Sequence, residues 1–354
     1  MPLQGRTSWN GYFQGLGGRD YLGGICNEYS IGLSISHGYA VGCTDAGVPA
    51  VRSGPSPLDW DHSSPISWAQ NSQLVANFAH LSIHEMTVVG KAVTASYYGT
   101  PASHSFFTGC GQGGQQGHTE AQRYPDDYDG ILAVSPTVDF SRTAMALFWP
   151  YLVQSNGAGG FLATCKLEAF QRAAIQHCDD LDGAADGIIA HPPDCDFDPQ
   201  SLVGQTVTCR NGPSVAITGY DAGIWASIHE GPLGDGSYGL PHGASTVPLS
   251  SSSSNTSEFL TDFVLQDPGY DYSTIDESQF RELWDQSVAD YDEIWGSSNA
   301  DMDAFRQRGG KLLSWHGWAD EVVPATVSTG HVCLWPRAWS IVVGSGLFIR
   351  IMES

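Results

Sequence analysis

The chain has 354 residues, 41% of them hydrophobic, enough for a full core rather than a minimal domain. Its formal charge of −23 repels phosphate backbones and excludes nucleic acid as a partner. No apolar run approaches the ~20 residues that a membrane-spanning helix needs, so no membrane partner is expected.

Residues 9–24 read as a strand followed by a glycine-rich loop, 15–24. Glycine permits positive φ and close backbone approach, so the loop is either a tight turn or an oxyanion or phosphate loop. The GxGxxG pattern is absent, which sets a dinucleotide aside. Residues 31–37 are a short helix and 38–44 a buried strand. Residues 74–98 carry Leu74, Phe78, Leu81, Met86 and Val89 at helical spacing. A short strand at 105–108, a glycine turn, a helix over about 115–124 closed by Pro125 and a strand at 130–134 follow. Strands alternating with helices predict a mostly parallel sheet covered on both faces. From about 140 to 301 the alternation stops. That loop-rich stretch is expected to be a lid inserted into the sheet domain. Residues 311–315 return to a strand, with a loop at 316–320 at its carboxyl end. The expected domains are 1–139 and 301–327 for the sheet, 140–300 for the lid, and 328–354 for a divergent tail.

Met1 to Asn10 has no apolar segment and does not read as a signal peptide. Eight cysteines, a serine tract at 250–254 and a sequon, Asn255-Thr256-Ser257, point nevertheless to an oxidising compartment and a secreted protein. The missing leader suggests that the chain is not a complete gene product.

Thr108-Gly109-Cys110-Gly111-Gln112-Gly113-Gly114 lies between a strand and a helix. That is the setting of a nucleophile elbow, where a G-x-S-x-G turn lifts a serine off the sheet edge. The tip position here is Gly111: the scaffold is present and the hydroxyl is not.

This run, continued through Gln115-Gln116-Gly117 and the stretch 121–133, closely resembles the tannase / feruloyl esterase family, which reads G-C-S-x-G-G-R-Q-G at this place. Trp9-Asn10-Gly11, Gly38-Tyr39-Ala40 and the His316-to-Asp320 loop resemble it too. The resemblance covers residues 8–327. It implies an α/β-hydrolase with a calcium-bearing lid, hydrolysing gallate or hydroxycinnamate esters, small phenolic substrates. It implies a triad in the chain order Ser, Asp, His, with the nucleophile mapping to Gly111 and the acid to Asp320, which orients the histidine. The N–H of Gln112 would supply one oxyanion donor and the Gly17-Gly18 loop a second.

The histidine is harder to place. His331 is the candidate, but a helix and a strand should separate acid from base. Such a crossover takes on the order of a dozen residues, and Asp320 to His331 offers about ten. The resemblance also pairs Cys110 with a cysteine after the histidine, for which Cys333 is the candidate. Beyond Thr326 the resemblance ends, and residues 333–344 look like an altered reading frame or a read-through intron. The final strand and the histidine loop are then expected to be missing.

Residues 178–188, Cys-Asp-Asp-Leu-Asp-Gly-Ala-Ala-Asp-Gly-Ile, space carboxylates so that a loop can wrap one hard cation. They do not follow the EF-hand pattern. The resemblance implies Ca²⁺, held by Asp179, Asp182 and Asp186 with carbonyls of Ala184 and Ile188, and a Cys178–Cys195 disulfide. It leaves Cys209 unpaired, since the matching partner position is Ala216. Cys26, Cys43 and Cys165 find no partner by this reasoning, and partners before Met1 are the expectation.

His80 and His84 are four apart, as in a metal pair, but no third ligand is apparent and a helix face is expected. Packing is expected for His118, and a turn for Asp126, Asp127 and Asp129. Trp315 and Trp318 either stack on a phenolic ring or pack in the core. Three readings remain open: an esterase whose active form has serine at 111, a non-catalytic homologue binding phenolic esters, and a damaged gene product.

Overall fold

The computed structural model describes residues 8–48, 50–52, 60–62, 68–157, 159–210, 212–246, 249, 257–332, 338–343 and 347–352. Of the sequon, Asn255 and Thr256 lie outside the described residues. The chain runs β1 (Tyr12–Leu16), α1 (Glu28–Ser36), β2 (Ala40–Gly42), β3 (Ala50–Arg52) and β4 (Trp60–His62). Next come α2 (Ser72–Ala76), a π turn (Asn77–Leu81), α3 (Ser82–Tyr98), β5 (His104–Cys110), α4 (Gln112–Arg123) and β6 (Gly130–Val134). Local chemistry sets these ends. Asn27 caps α1 by accepting the Ser30 N–H at 2.8 Å, and Gly99, at φ 79°, closes α3 in the left-handed region.

With β9 (Lys311–Gly317), β10 (Ala338–Val343) and β11 (Leu347–Met352), the main sheet has the order β10-β11-β9-β6-β5-β1-β2. Its strands β2, β1, β5, β6 and β9 (Lys311–Gly317) are parallel. The chain leaves β1 for β2 on one side and returns to β5 on the other, so the winding reverses between β1 and β5. Open α/β sheets bind ligands at such a reversal, outside the carboxyl ends of the strands. Those ends carry the Gly17 loop, Gly111, Ser135 and the loop of Asp320. Side chains alternate along each strand, and Phe13, Phe107, Ile131 and Leu312 are buried in one core cluster. Each such side chain contributes about 1.5–3 kcal/mol.

Residues 140–301 combine long loops with more helix than the sequence reading expects. They form α5 (Phe140–Ala146), α6 (Trp149–Ser155), α7 (Thr164–Cys178), a small hairpin of β7 (Thr206–Thr208) and β8 (Ser214–Ala216), α8 (Gly219–Glu230) and α9 (Glu277–Trp295). The spacing of Phe280, Leu283, Trp284, Ser287, Tyr291 and Trp295 is helical, and all six are buried along α9. Leu167, Phe170, Trp225 and Ile228 centre a separate core made of residues within 162–244.

After α10 (Asp303–Gln307) and β9 comes α11 (Ala325–Val332). The tail that the sequence sets apart nonetheless joins the sheet. β11 (Leu347–Met352) runs antiparallel to β9, and β10 (Ala338–Val343) antiparallel to β11. Among the described residues no helix is long and apolar enough to cross a membrane.

Among the described residues three disulfides form. Cys178–Cys195 is one. Cys209 is paired, with Cys165, and Cys26 pairs with Cys43. The chain thus supplies its own partners for all three cysteines that sequence reasoning left open, and for Cys209. The first and last residues of the Cys165–Cys209 pair are brought together by contacts of α7 with β7, with Cα atoms 5.0 Å apart. Cys110 is the free cysteine among the described residues, and Cys333 lies outside them.

Candidate active site

Gly111 stands between β5 and α4 with φ 60° and ψ −116°. An L-residue there is strained, and strain of this kind is characteristic of a nucleophile turn. A Cβ built on Gly111 meets nothing within 4 Å, so the tip is open. The residues around it are crowded. A Cβ on Gly109 would lie 2.1 Å from the Gly113 carbonyl oxygen, which only glycine tolerates. The tip is held from below: the Gly111 N–H donates to Val134 O at 2.9 Å, and its carbonyl accepts from the N–H groups of Gln115 at 3.0 Å and Thr137 at 3.4 Å.

Gln112 opens α4, so its N–H has no acceptor within the helix. Gly17 does not match its expected role. Its N–H donates to Thr108 O at 2.9 Å, extending the β1–β5 ladder, and the Gly18 N–H goes to Gln116 Oε1 at 2.9 Å. Both donors are committed within the fold, and Gly17 serves close packing against Gly113 instead. Gln116, which sequence reasoning passed over, also donates to Gly23 O at 3.1 Å and so bolts the glycine loop to α4. Its place inside the quoted glycine run was the available signal.

Asp320 lies in the loop after β9, one strand removed from β5. Its Oδ1 accepts the N–H groups of Val322 and Val323, each at 2.9 Å. Burial pushes this carboxyl up, but hydrogen bonds from His316 and the two N–H groups outweigh it and hold it below the usual range. Asp320 is near enough to act on Cys110: desolvation, then the charges of Asp320 and Asp20, raise that thiol above its ordinary value. The sulfur therefore stays protonated at neutral pH. The backbone of His331 falls in α11; its side chain lies outside the described residues.

Several of the other singled-out residues make contacts within the fold. His80 Nδ1 meets the Tyr124 hydroxyl at 2.7 Å, and His84 Nδ1 meets Asp127 Oδ2 at 2.6 Å, fastening the π turn and α3 to the end of α4 and the turn after it. Asp129 accepts the Ser105 N–H at 2.7 Å. His118 is buried inside α4, and Trp318 is buried edge-on to His191.

In the acidic loop, Asp179 Oδ1 accepts N–H groups of Asp186, Gly187 and Ile188 at 3.1, 2.7 and 3.1 Å. Asp182 Oδ1 accepts from Ala184 at 2.9 Å and Asp186 Oδ1 from Ile188 at 3.1 Å. Gly183 and Gly187, at φ 88° and 82°, let the loop turn twice. The donor chemistry, carboxylates and carbonyls, suits a hard cation. Yet no three His, Cys, Asp or Glu side chains among the described residues are grouped to hold a metal ion. The loop is arranged around Asp179 and its backbone donors.

The family model for tannase and feruloyl esterase matches residues 3–259 and 239–335. The chain belongs to the tannase and feruloyl esterase family. Within that family, a probable feruloyl esterase of Arthroderma benhamiae is 38% identical over 344 residues, which are 91% of this chain and 61% of the relative. Feruloyl esterase B of Aspergillus niger is 29% identical over 88% of this chain and 58% of the relative. The chain thus spans less than two thirds of the length of these curated relatives. The fold is that of the solved structures of feruloyl esterase B from Aspergillus oryzae, at TM-score 0.76 and 24% identity, and of tannin acyl hydrolase from Aspergillus niger, at 0.79 and 19%. Each likeness covers more than nine tenths of this chain, 93% and 92%, and 64% and 63% of the other.

Proposed function

We propose that this chain carries the scaffold of a secreted serine esterase for gallate or hydroxycinnamate esters, and that glycine at 111 leaves it without turnover. The observation that carries this reading is the strained, open tip at φ 60°, placed where the sheet's winding reverses. In the esterase form a serine hydroxyl at 111 attacks the ester carbonyl. A histidine takes its proton and later returns it to the leaving alcohol, and Asp320 orients that histidine. His331 is the histidine this chain offers. The Gln112 N–H faces the developing oxyanion, a donor of a kind worth about 3–4 kcal/mol of barrier. Such a donor does not replace a nucleophile, since loss of triad members costs on the order of 10⁴ to 10⁶ in rate. The three disulfides support secretion.

The test is hydrolysis of chromogenic gallate and ferulate esters by the chain and by Gly111→Ser. Turnover by the serine variant alone supports the reading. Turnover by the unaltered chain would remove residue 111 from the reaction.

A second reading follows from glycine at the tip itself: the chain binds phenolic esters without cleaving them. Retention of a ferulate ester in equilibrium dialysis, with no product formed, distinguishes it.

We further propose that the 179–188 loop takes Ca²⁺, with Asp179, Asp182 and Asp186 as carboxylate ligands and carbonyls of Ala184 and Ile188. The ion would order the loop and offset its charge. Binding would require the carboxylates to turn toward one point. The exposed acidic loop and its closure by Cys178–Cys195 support this reading.

A further inference from the structure

We infer that His316 is a positioning residue that fixes the Asp320 loop and couples it to the turn carrying Gly111. The inference rests on the reading of Asp320 as the acid. His316 is on the buried face of β9, 1% exposed. Its Nε2 lies 2.8 Å from Val323 O and 3.4 Å from Asp320 Oδ2. Its Nδ1 lies 2.7 Å from the hydroxyl of Ser328 on α11. That hydroxyl is also 3.1 Å from Pro136 O, in the loop after β6. The next residue, Thr137, donates its N–H to Gly111 O. One ring thus touches the acid loop, α11 and, through Ser328, the segment that supports the tip.

The two edges of the ring do different work. Both neighbours of Nε2 are acceptors only, so Nε2 carries a hydrogen; the single hydrogen of the Ser328 hydroxyl is shared between Nδ1 and Pro136 O, both of which lie within its reach. The Val323 peptide is then pinned on both sides: its N–H binds Asp320 Oδ1 and its carbonyl receives Nε2–H. Asp320 cannot swing without releasing Val323. A histidine serving as filler in a buried strand needs no donor facing a carboxylate. An apolar ring of the same size would fill the space but leave Val323 O and Asp320 Oδ2 without their buried donor, a loss that destabilises the arrangement.

The first measurement uses the unaltered chain with labelled histidine. The His316 ring should show the Nε2–H tautomer, and Asp320→Asn should shift its Nε2 resonance. The opposite tautomer, or a resonance indifferent to Asp320→Asn, overturns the inference. The second follows the Asp320 carboxyl by ¹³C titration. His316→Ala should raise its midpoint by about one pH unit, and His316→Gln, which keeps a donor near Nε2, should restore it. Cys110 is a further titrating group within reach of Asp320 and is followed in the same experiment. An unmoved midpoint in folded His316→Ala overturns the inference, as would failure of glutamine to restore it. If the alanine variant does not fold, the tautomer and the Asp320→Asn response decide. None of these readouts uses ester turnover, so an inactive Gly111→Ser variant counts against the esterase reading alone.

Discussion

The hydroxyl of Tyr238 donates to Asp139 Oδ2 at 2.7 Å, joining the helical stretch 140–301 to the segment that follows β6. Asp139 is fully buried and also receives Arg142 Nη1 on both oxygens, at 2.8 and 2.9 Å. Tyr238→Phe should cost about 1.5–3 kcal/mol, the range for a buried bond to a charged acceptor. Chemical denaturation checks it, and an unchanged midpoint would show that the packing of this stretch does not depend on the link.

Restoring serine at 111 should cost stability even if it supplies chemistry. The backbone at φ 60° suits glycine, and a β-carbon there meets no neighbour to offset its strain. Gly111→Ser and Gly111→Ala should each lose about 1–3 kcal/mol, by nearly equal amounts. Thermal unfolding of the pair separates backbone strain from any effect of the hydroxyl.

Acid should weaken the fold from about pH 6.5 downward. Burial holds His118 down to about 3. Burial, followed by His242, does the same to His229, and burial with Arg123 and His84 lowers His80 to about 4. Each is neutral when folded and binds a proton on unfolding in this window. Their contribution is therefore complete above the unfolded value and is lost as pH falls toward the folded one, by at most about 1.4 kcal/mol per pH unit for each proton. Glu120 acts in the opposite sense. Burial, then Asp127, raise its carboxyl well above the ordinary value, so its contribution is lost as pH rises through that raised value. His229→Asn should flatten the acid limb of midpoint against pH; an unchanged slope would assign the limb to other groups.

Calcium should raise the unfolding temperature if the acidic loop binds it. A site at 100 times its dissociation constant adds about 2.7 kcal/mol. Chelator should remove the gain, and Asp179→Asn should abolish the response while leaving the chelated protein folded. A protein indifferent to both ion and chelator would leave the loop as the hydrogen-bonded turn described above.

Much of the sheet domain was legible because strand periodicity and glycine punctuation are local signals. Residues 130–134 form β6 with the predicted bounds, and the Gly109–Gly114 run forms the strand-to-helix bend. The spacing of α9, from Phe280 to Trp295, is equally local, but an isolated helical period does not say what it packs against. Cys165–Cys209 was not legible, because a pairing 44 residues apart depends on how α7 packs on the hairpin. The Gly17 donor failed for a related reason. Whether a loop N–H faces a ligand or stays in a ladder is decided by register, here Leu16 beside Thr108. His316 belonged to a quoted motif, yet its contacts with Ser328 and Val323 depend on a helix packed over the strand end.

The edge-on contact of Trp318 with His191, ring centres 5.5 Å apart, gives the lid a seat two residues from the proposed acid. His191 follows directly on the acidic loop and precedes Cys195, so that surface segment and the sheet's carboxyl edge share a wall. A substitution at His191 would therefore be met first by an indole that stands two residues from Asp320 in the chain. Packing at the carboxyl edge of β9 thus depends on residues more than a hundred positions earlier in the chain, and variation near 188–195 is felt first at Trp318.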